Sequence, residues 1–410
     1  MTVTHPDFLV HNDDWSDLER FAPLPEINTQ RLHAYRLGRL RATLDQYECD
    51  MLVLVSPVSL RYAINYRNYA LFSSHIPCTY LFISKQGPLA LHNALAHESD
   101  PSMRRTGRPI AHFYGGDELG QYAEQLANDI ARYMSELGLS SGRIALEYVN
   151  PSITQAVSQK GFEVFDGVIL SERARQIKNP DEIECMTWAI KVAEHGALKV
   201  KQALRPGVTE VQLWALLNYT NLANDGDWHD GRMLASGDRI NPWLQEASKR
   251  VIRDGDLVGF DTDMVGPFGY FADLSRTFHC GPSQPTARQK ELYQLAKAEV
   301  DHNLTLIKHG ASFQSIIDNA FEVPPEFQAN AYPCVIHGVG MCDEYPHLNP
   351  AFHGPLPYQD QLLEGMVICV ESYMGAQGER DGVKLEQQVL VTQSGYELLT
   401  HFPFEDELLN

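Results

Sequence analysis

The feature that most constrains this chain is a set of acids placed inside otherwise apolar stretches of its second half. Gly259-Phe260-Asp261-Thr262-Asp263 carries two carboxylates two residues apart, a spacing that puts both on one face of a strand. Asp273 follows in Gly269-Tyr270-Phe271-Ala272-Asp273-Leu274, after a short turn. Glu371 closes the apolar run Met366–Val370, Glu386 sits within Val383–Val391, and His337 opens the glycine-rich His337-Gly338-Val339-Gly340. A single such acid is explained by a strand that alternates between core and water. The group together is not, because the runs around Asp261 and Glu371 leave little polar alternation. A carboxylate buried among apolar neighbours costs several kcal/mol unless it is paired or bound to a metal. Divalent cations with oxygen ligands and one imidazole meet that requirement.

The rest of the sequence sets the frame. The chain has 410 residues, 44% of them apolar and 21% charged, enough for two or three domains with sizeable cores. Its net charge of −20 argues against nucleic acid or an anionic membrane as partner. The polar, acidic Met1–Glu26 lacks the pattern of a secretory signal, and runs such as Met51–Val55 are too short to span a bilayer. The expectation is a cytoplasmic protein. Cys49, Cys78, Cys185, Cys280, Cys334, Cys342 and Cys369 form no CxxC pair. They read as reduced, mostly buried thiols, which argues against a disulfide framework or a thiolate zinc site.

The first part alternates strand-like runs (Asp50–Pro57, Thr79–Ser84, Pro88–His92, Gly142–Tyr148) with helical spacing over Thr29–Tyr47 and Glu118–Leu137. It reads as an α/β domain over residues 1–172, with the boundary near Ser171–Pro180. Asn179-Pro180-Asp181-Glu182 is a helix start with cap, N1 proline and capping-box acid, and the helix should run to about Leu204. Thr209-Glu210-Val211-Gln212 opens a second helix. A third spans about Thr286 to Lys308 before Gly310. Strands are expected at Asp256–Val265, Tyr270–Cys280, Met366–Tyr373 and Val383–Thr392. Residues 173–410 thus form an α+β domain.

The order Asp, Asp, His, Glu, Glu in GFDTD, GYFADLSRTF, HGVG, VICVES and VKLEQQVLV resembles the pita-bread metalloenzymes, the creatinase, aminopeptidase P and prolidase superfamily. The likeness runs from about Ala174 to Phe404 and includes ARQIKNPDEIE and PGVTE. It implies a pita-bread catalytic domain behind a smaller α/β domain, and two divalent metal ions held by two aspartates, one histidine and two glutamates; an extra carboxylate here suggests a six-ligand set of Asp261, Asp263, Asp273, His337, Glu371 and Glu386. The extra aspartate is unusual. Family members place one ligand eleven residues before the second, whereas Asp261 and Asp263 stand twelve and ten before Asp273.

Two departures point away from peptide hydrolysis. Peptidases of the family carry a second histidine in the pattern HGxGxxxHExP. Here His337–Pro346 is one residue shorter, with Asp343 where that histidine belongs. A carboxylate does not donate to an oxyanion unless protonated. Trp243, in Leu234–Glu246 (LASGDRINPWLQE), stands about where another family histidine falls. Both segments resemble the DddP-type dimethylsulfoniopropionate lyases almost residue for residue. That likeness implies β-elimination of dimethylsulfoniopropionate to acrylate and dimethyl sulfide. Asp343 would be general base, Trp243 and Tyr332 would bind substrate, and Tyr332 would also aid the base. Iron is favoured over manganese or zinc, and a homodimer is implied. The plainer roles are a turn cap for Asp343 and a core aromatic for Trp243. Glu344 reads as structural, His347 as a surface residue, and Arg232 and Arg239 as possible partners of substrate or ligand carboxylates. No role is assigned to His92, His97 or His112. The rival functions are an Xaa-Pro metallopeptidase and a lyase acting on a related betaine or sulfonium zwitterion.

Overall fold

The computed structural model describes residues 24–67, 70–94, 103–108 and 116–410. Most of the polar start of the chain, His97 and His112 lie outside them. Two compact units emerge, one spanning Asn28–Arg175 and one built on Gln176–Asn410.

In the first unit β1 (Met51–Leu54), β2 (Tyr80–Ser84), β3 (Ala90–His92), β4 (Arg104–Thr106), β5 (Arg143–Leu146) and β6 (Glu163–Asp166) form one sheet in the order β4-β3-β2-β1-β5-β6. β1 runs parallel to β5 and antiparallel to β2. Helix α1 covers Thr29–Gln46, with the Asn28 side chain accepting from the Arg31 N–H. The apolar run expected to be one strand over Asp50–Pro57 divides. The strand ends at Leu54, and Pro57, pre-set for a first helical turn, opens α2 (Pro57–Ile64). Buried Glu147 serves that helix end by accepting from the N–H groups of Val55 (3.0 Å) and Ser56 (2.9 Å). Helix α3 (Leu119–Glu136) presents Tyr122, Leu126, Ile130 and Tyr133 to the core at helical spacing.

The second unit opens with α4 (Pro180–Ala203) and α5 (Glu210–Ala223), both with complete capping boxes, Asn179/Glu182 and Thr209/Gln212. Short strands follow: β7 (Trp228–His229), β8 (Leu234–Ser236), β9 (Leu257–Asp261), β10 (Met264–Val265), β11 (Phe271–Ala272) and β12 (Ser275–His279). They make two small sheets, β11-β10-β7 and β12-β9-β8. Helix α6 (Ala287–Leu304) ends one turn earlier than the sequence pattern suggests. Last come β13 (Ile336–Val339), β14 (Asp343–Leu348), β15 (Val367–Met374), β16 (Val383–Val391) and β17 (Tyr396–Leu398), in the order β14-β13-β15-β16-β17. An apolar core of α6 side chains with Ile336, Ile368, Val370, Leu385 and Val389 backs this sheet.

β12 ties the small sheet to the large one. Thr277 Oγ1 donates to Lys384 O (2.9 Å) and accepts from Lys384 N (3.0 Å). The fully buried Arg276 guanidinium donates to the backbone oxygens of Ser275 (2.9 Å) and Glu386 (2.7 Å), to the Gln387 side chain (2.9 Å) and, through two nitrogens, to Phe402 O (3.2 and 2.5 Å). Every donor it brings indoors thus faces an acceptor, which a buried cation requires.

A candidate metal centre among the strands

The strands bring the acids together. Glu371 on β15 and Glu386 on β16 stand directly opposite in an antiparallel register. His337 on β13 lies across from Cys369 on β15. Its Nε2 is 3.1 Å from Glu371 Oε1 and 3.6 Å from Asp273 Oδ2. Asp261 is the last residue of β9, and Asp273 sits in the break between β11 and β12. Thr262 joins these two segments, its Oγ1 donating to Ala272 O (2.8 Å) and accepting from Leu274 N (3.0 Å). Gln388 Oε1 accepts from the Asp273 N–H (3.0 Å).

Asp263 arrives by a different route from the one its spacing implied. The strand stops at Asp261, and Asp263 adopts a φ of +36°, in the left-handed region. Alternation along a strand therefore does not align the pair; a turn does. Even so, donor atoms of Asp261, Asp263 and Asp273 all lie within 4.8 Å of one another. So do those of Asp273, His337, Cys369 and Glu386.

The electrostatics are those of a crowded acidic site. Burial, then the charges of Glu386 and Asp261, push Asp273 well above the usual carboxylate range. Burial followed by Glu371 and Asp261 does the same to Glu386, and burial with Asp261 and Asp343 to Asp263. Burial works to lower the pKa of His337, but Asp343, Glu371 and Glu386 outweigh it and raise the imidazole to about 10. Burial keeps the Cys369 thiol protonated, and Glu386 reinforces the effect.

Lys384 is the residue that sequence reasoning missed. Its Nζ lies 2.5 Å from Glu371 Oε2, 3.0 Å from Asp261 Oδ2 and 3.5 Å from Glu386 Oε2. It counters the burial that would otherwise raise Asp261 and holds that carboxyl below its usual range. The available signal was its position two residues before Glu386 in one strand, hence on the same face. Cys369 carried the same signal relative to Glu371.

Asp343 stands at the mouth. It opens β14 with its side chain 62% exposed, and its Oδ1 is 3.4 Å from His337 Nδ1. Partial desolvation of the carboxyl raises its pKa, with Glu371 and Asp261 adding and His337 opposing. Tyr332 also reaches the cluster, its ring centroid 4.4 Å from Lys384 Nζ. Burial, then Glu371 and Asp261, keep its phenol protonated. The contacts of Trp243 lie elsewhere. It is 5% exposed in the apolar core, stacked on Tyr373 at 6.1 Å, and its indole N–H has no hydrogen-bond partner among the described residues.

Neighbouring residues are held for structural ends. Glu344 points inward to pair with buried Lys178 at 2.6 Å, and a Cβ on Gly340 would collide with its carboxylate. Arg239 pairs with buried Glu210, and Arg232 with Glu246 at 2.7 Å, so neither reaches the clustered carboxylates. His347 is exposed. All seven cysteines are free.

The chemistry of the donor set fits divalent cations. Asp261 Oδ1, Asp273 Oδ1 and Glu386 Oε1 are buried without a hydrogen-bond partner among the described residues. Bare carboxylate oxygens in one pocket call for positive charge.

Residues 184–393 match the model of metallopeptidase family M24. The chain belongs to that family. It is 32% identical over 398 residues to the dimethylsulfoniopropionate lyase DddP of Roseovarius nubinhibens, covering 94% of this chain and 89% of that protein. The corresponding lyase of Roseobacter denitrificans is 33% identical over 370 residues, covering 87% and 83%. A dipeptidase from Pyrococcus horikoshii OT3 superposes with a TM-score of 0.74 at 20% identity, covering 90% of this chain and 99% of that one. The chain therefore has the pita-bread α+β fold. Among its described residues no helix is long and apolar enough to cross a membrane.

Proposed function

We propose that this M24 protein is a dimethylsulfoniopropionate lyase, splitting its substrate by β-elimination into acrylate and dimethyl sulfide. The observation that carries the reading is the acid at the mouth. Asp343 stands at the rim beside His337, above a buried carboxylate cluster, where the peptidases of this fold keep a histidine. The two lyases of 32% and 33% identity over most of the chain support it.

Asp261, Asp263, Asp273, His337, Glu371 and Glu386 would hold two divalent ions. When bound, those ions supply the Lewis acidity that lowers the charge on the substrate carboxylate. The residues do the rest. Asp343 takes the proton from the carbon next to that carboxylate. The freed electron pair becomes the carbon–carbon double bond of acrylate, the carbon–sulfur bond breaks, and its pair leaves on neutral dimethyl sulfide. Sulfur departs without protonation, so the step needs no general acid. A raised pKa makes Asp343 a better base than a free carboxylate. Its exposure lets it return the proton to water. Tyr332, with its protonated phenol, lines the same space.

The oxygen-rich donor set with one imidazole suits iron(II), manganese or zinc, and we favour iron for its likeness to the lyase pattern. We also propose a cytoplasmic homodimer acting on a small zwitterion. Purified, metal-loaded protein should release dimethyl sulfide and acrylate in equal amounts. A protein with metal bound that yields neither, yet hydrolyses an Xaa-Pro dipeptide, would overturn the reading in favour of a peptidase. Release of the matching amine from a betaine instead would move the assignment to another zwitterion.

A further inference from the structure

Lys384 is completely buried, and the chain holds it from both sides. Its backbone N–H and carbonyl are both tied to Thr277 Oγ1, at 3.0 and 2.9 Å. Its ammonium donates to Ser275 Oγ (2.6 Å) and Glu371 Oε2 (2.5 Å), with Asp261 Oδ2 at 3.0 Å and Glu386 Oε2 at 3.5 Å. Three carboxylates therefore each turn one oxygen toward the same cation. Their other oxygens are disposed differently. Asp261 Oδ1 and Glu386 Oε1 have no partner among the described residues, and Glu371 Oε1 faces His337 Nε2 at 3.1 Å. The ammonium occupies one side of the acids and leaves the opposite oxygens for a ligand.

We infer that Lys384 is the fixed counter-charge of the metal centre, its ammonium held beside Asp261, Glu371 and Glu386 to offset the negative charge they would present to the ions. The inference rests on reading the cluster as a two-ion site. Asp261, Asp263, Asp273, Glu371 and Glu386 outweigh two dications by one negative charge, and Lys384 cancels it. A neutral centre draws more charge from a bound substrate carboxylate than an anionic one. It also holds its ions less tightly, because a fixed cation within a few ångström repels them in a poorly screened interior. Lys384 thus trades metal affinity for electrophilicity.

The two consequences have opposite signs, which makes them testable without substrate. Wild type, Lys384→Met and Lys384→Arg are loaded with manganese(II) at pH 8, and the metal per chain is counted. Release into excess chelator is then followed. The expected result is full loading of Lys384→Met with release about tenfold slower than wild type, and a rate for Lys384→Arg between the two, since arginine keeps the charge but not the compact geometry of the ammonium. Lyase turnover of Lys384→Met should fall even though its metal is held more firmly. Faster release or lost metal in Lys384→Met would overturn the inference and leave Lys384 a packing residue. If Lys384→Met does not fold alone, refolding with manganese(II) decides: recovery supports a counter-charge role, and failure to recover refutes it. Wild type that takes up no manganese(II) would instead defeat the metal-centre reading itself.

Discussion

Glu299 offers a test of the electrostatics one layer behind the site. It lies on α6, 7% exposed, and accepts a 2.6 Å hydrogen bond from Ser372 Oγ, next in sequence to Glu371. Burial, opposed by that hydrogen bond and aided by the charge of Glu371, raises its pKa from 4.5 to about 8. The unfolded chain ionises this group near 4.5, so between 4.5 and 8 the folded state binds the extra proton. Stability is therefore lost as pH rises across that window, by about 1.4 kcal/mol per unit and on the order of 5 kcal/mol in all. Glu299→Gln keeps the shape and the acceptor for Ser372 but removes the ionisation. The variant should match wild type near pH 4.5 and exceed it progressively up to about pH 8, by roughly 3 kcal/mol near neutrality. Denaturant unfolding of both proteins at several pH values reads the difference, in which all other titrating groups cancel. A difference that is flat with pH, or a variant less stable than wild type at pH 8, would show that Glu299 is not held protonated by its burial.

Other consequences concern the ion pair and the ligands. Lys178→Met strands Glu344 as a buried charge and should destabilise the protein by about 3–5 kcal/mol in denaturant unfolding, with Lys178→Met/Glu344→Gln recovering part of the loss. Asp273→Ala should lower bound metal per chain by elemental analysis, because its carboxylate is shared by both groups of side chains that could hold an ion, while far-UV circular dichroism stays unchanged. Manganese(II) at about a hundred times its Kd should add about 2.7 kcal/mol of stability, visible as a rise in Tm that a chelator reverses.

Much of this architecture is written in local signals. The cap residues Asn179 and Thr209 and their partners Glu182 and Gln212 mark helix starts that the structure reproduces, because capping is a matter of a few adjacent residues. Glu371 and Glu386 stood out because strands buried on both faces leave no innocent place for an acid. What depends on non-local packing was harder to read. The turn that carries Asp263 in from the end of β9 leaves no mark in a two-residue spacing that mimics a strand. Lys384 looks like the polar side of an alternating strand until β12 covers that face. Arg239 faces Glu210, which lies on a distant helix in the sequence. The sequence offered a core role for Trp243 beside substrate binding, but its packing against Tyr373 requires knowing which strand lies beneath it.

The lyase reading is tested by comparing wild type with Asp343→Asn, both loaded with iron(II), for dimethyl sulfide released into the headspace from dimethylsulfoniopropionate. Elemental analysis is run on the same samples. Asp343 as general base predicts equal metal in both proteins and a rate lower by about 10²–10⁴-fold in the variant, the usual contribution of such a base. Gas from Asp343→Asn at the wild-type rate would contradict it.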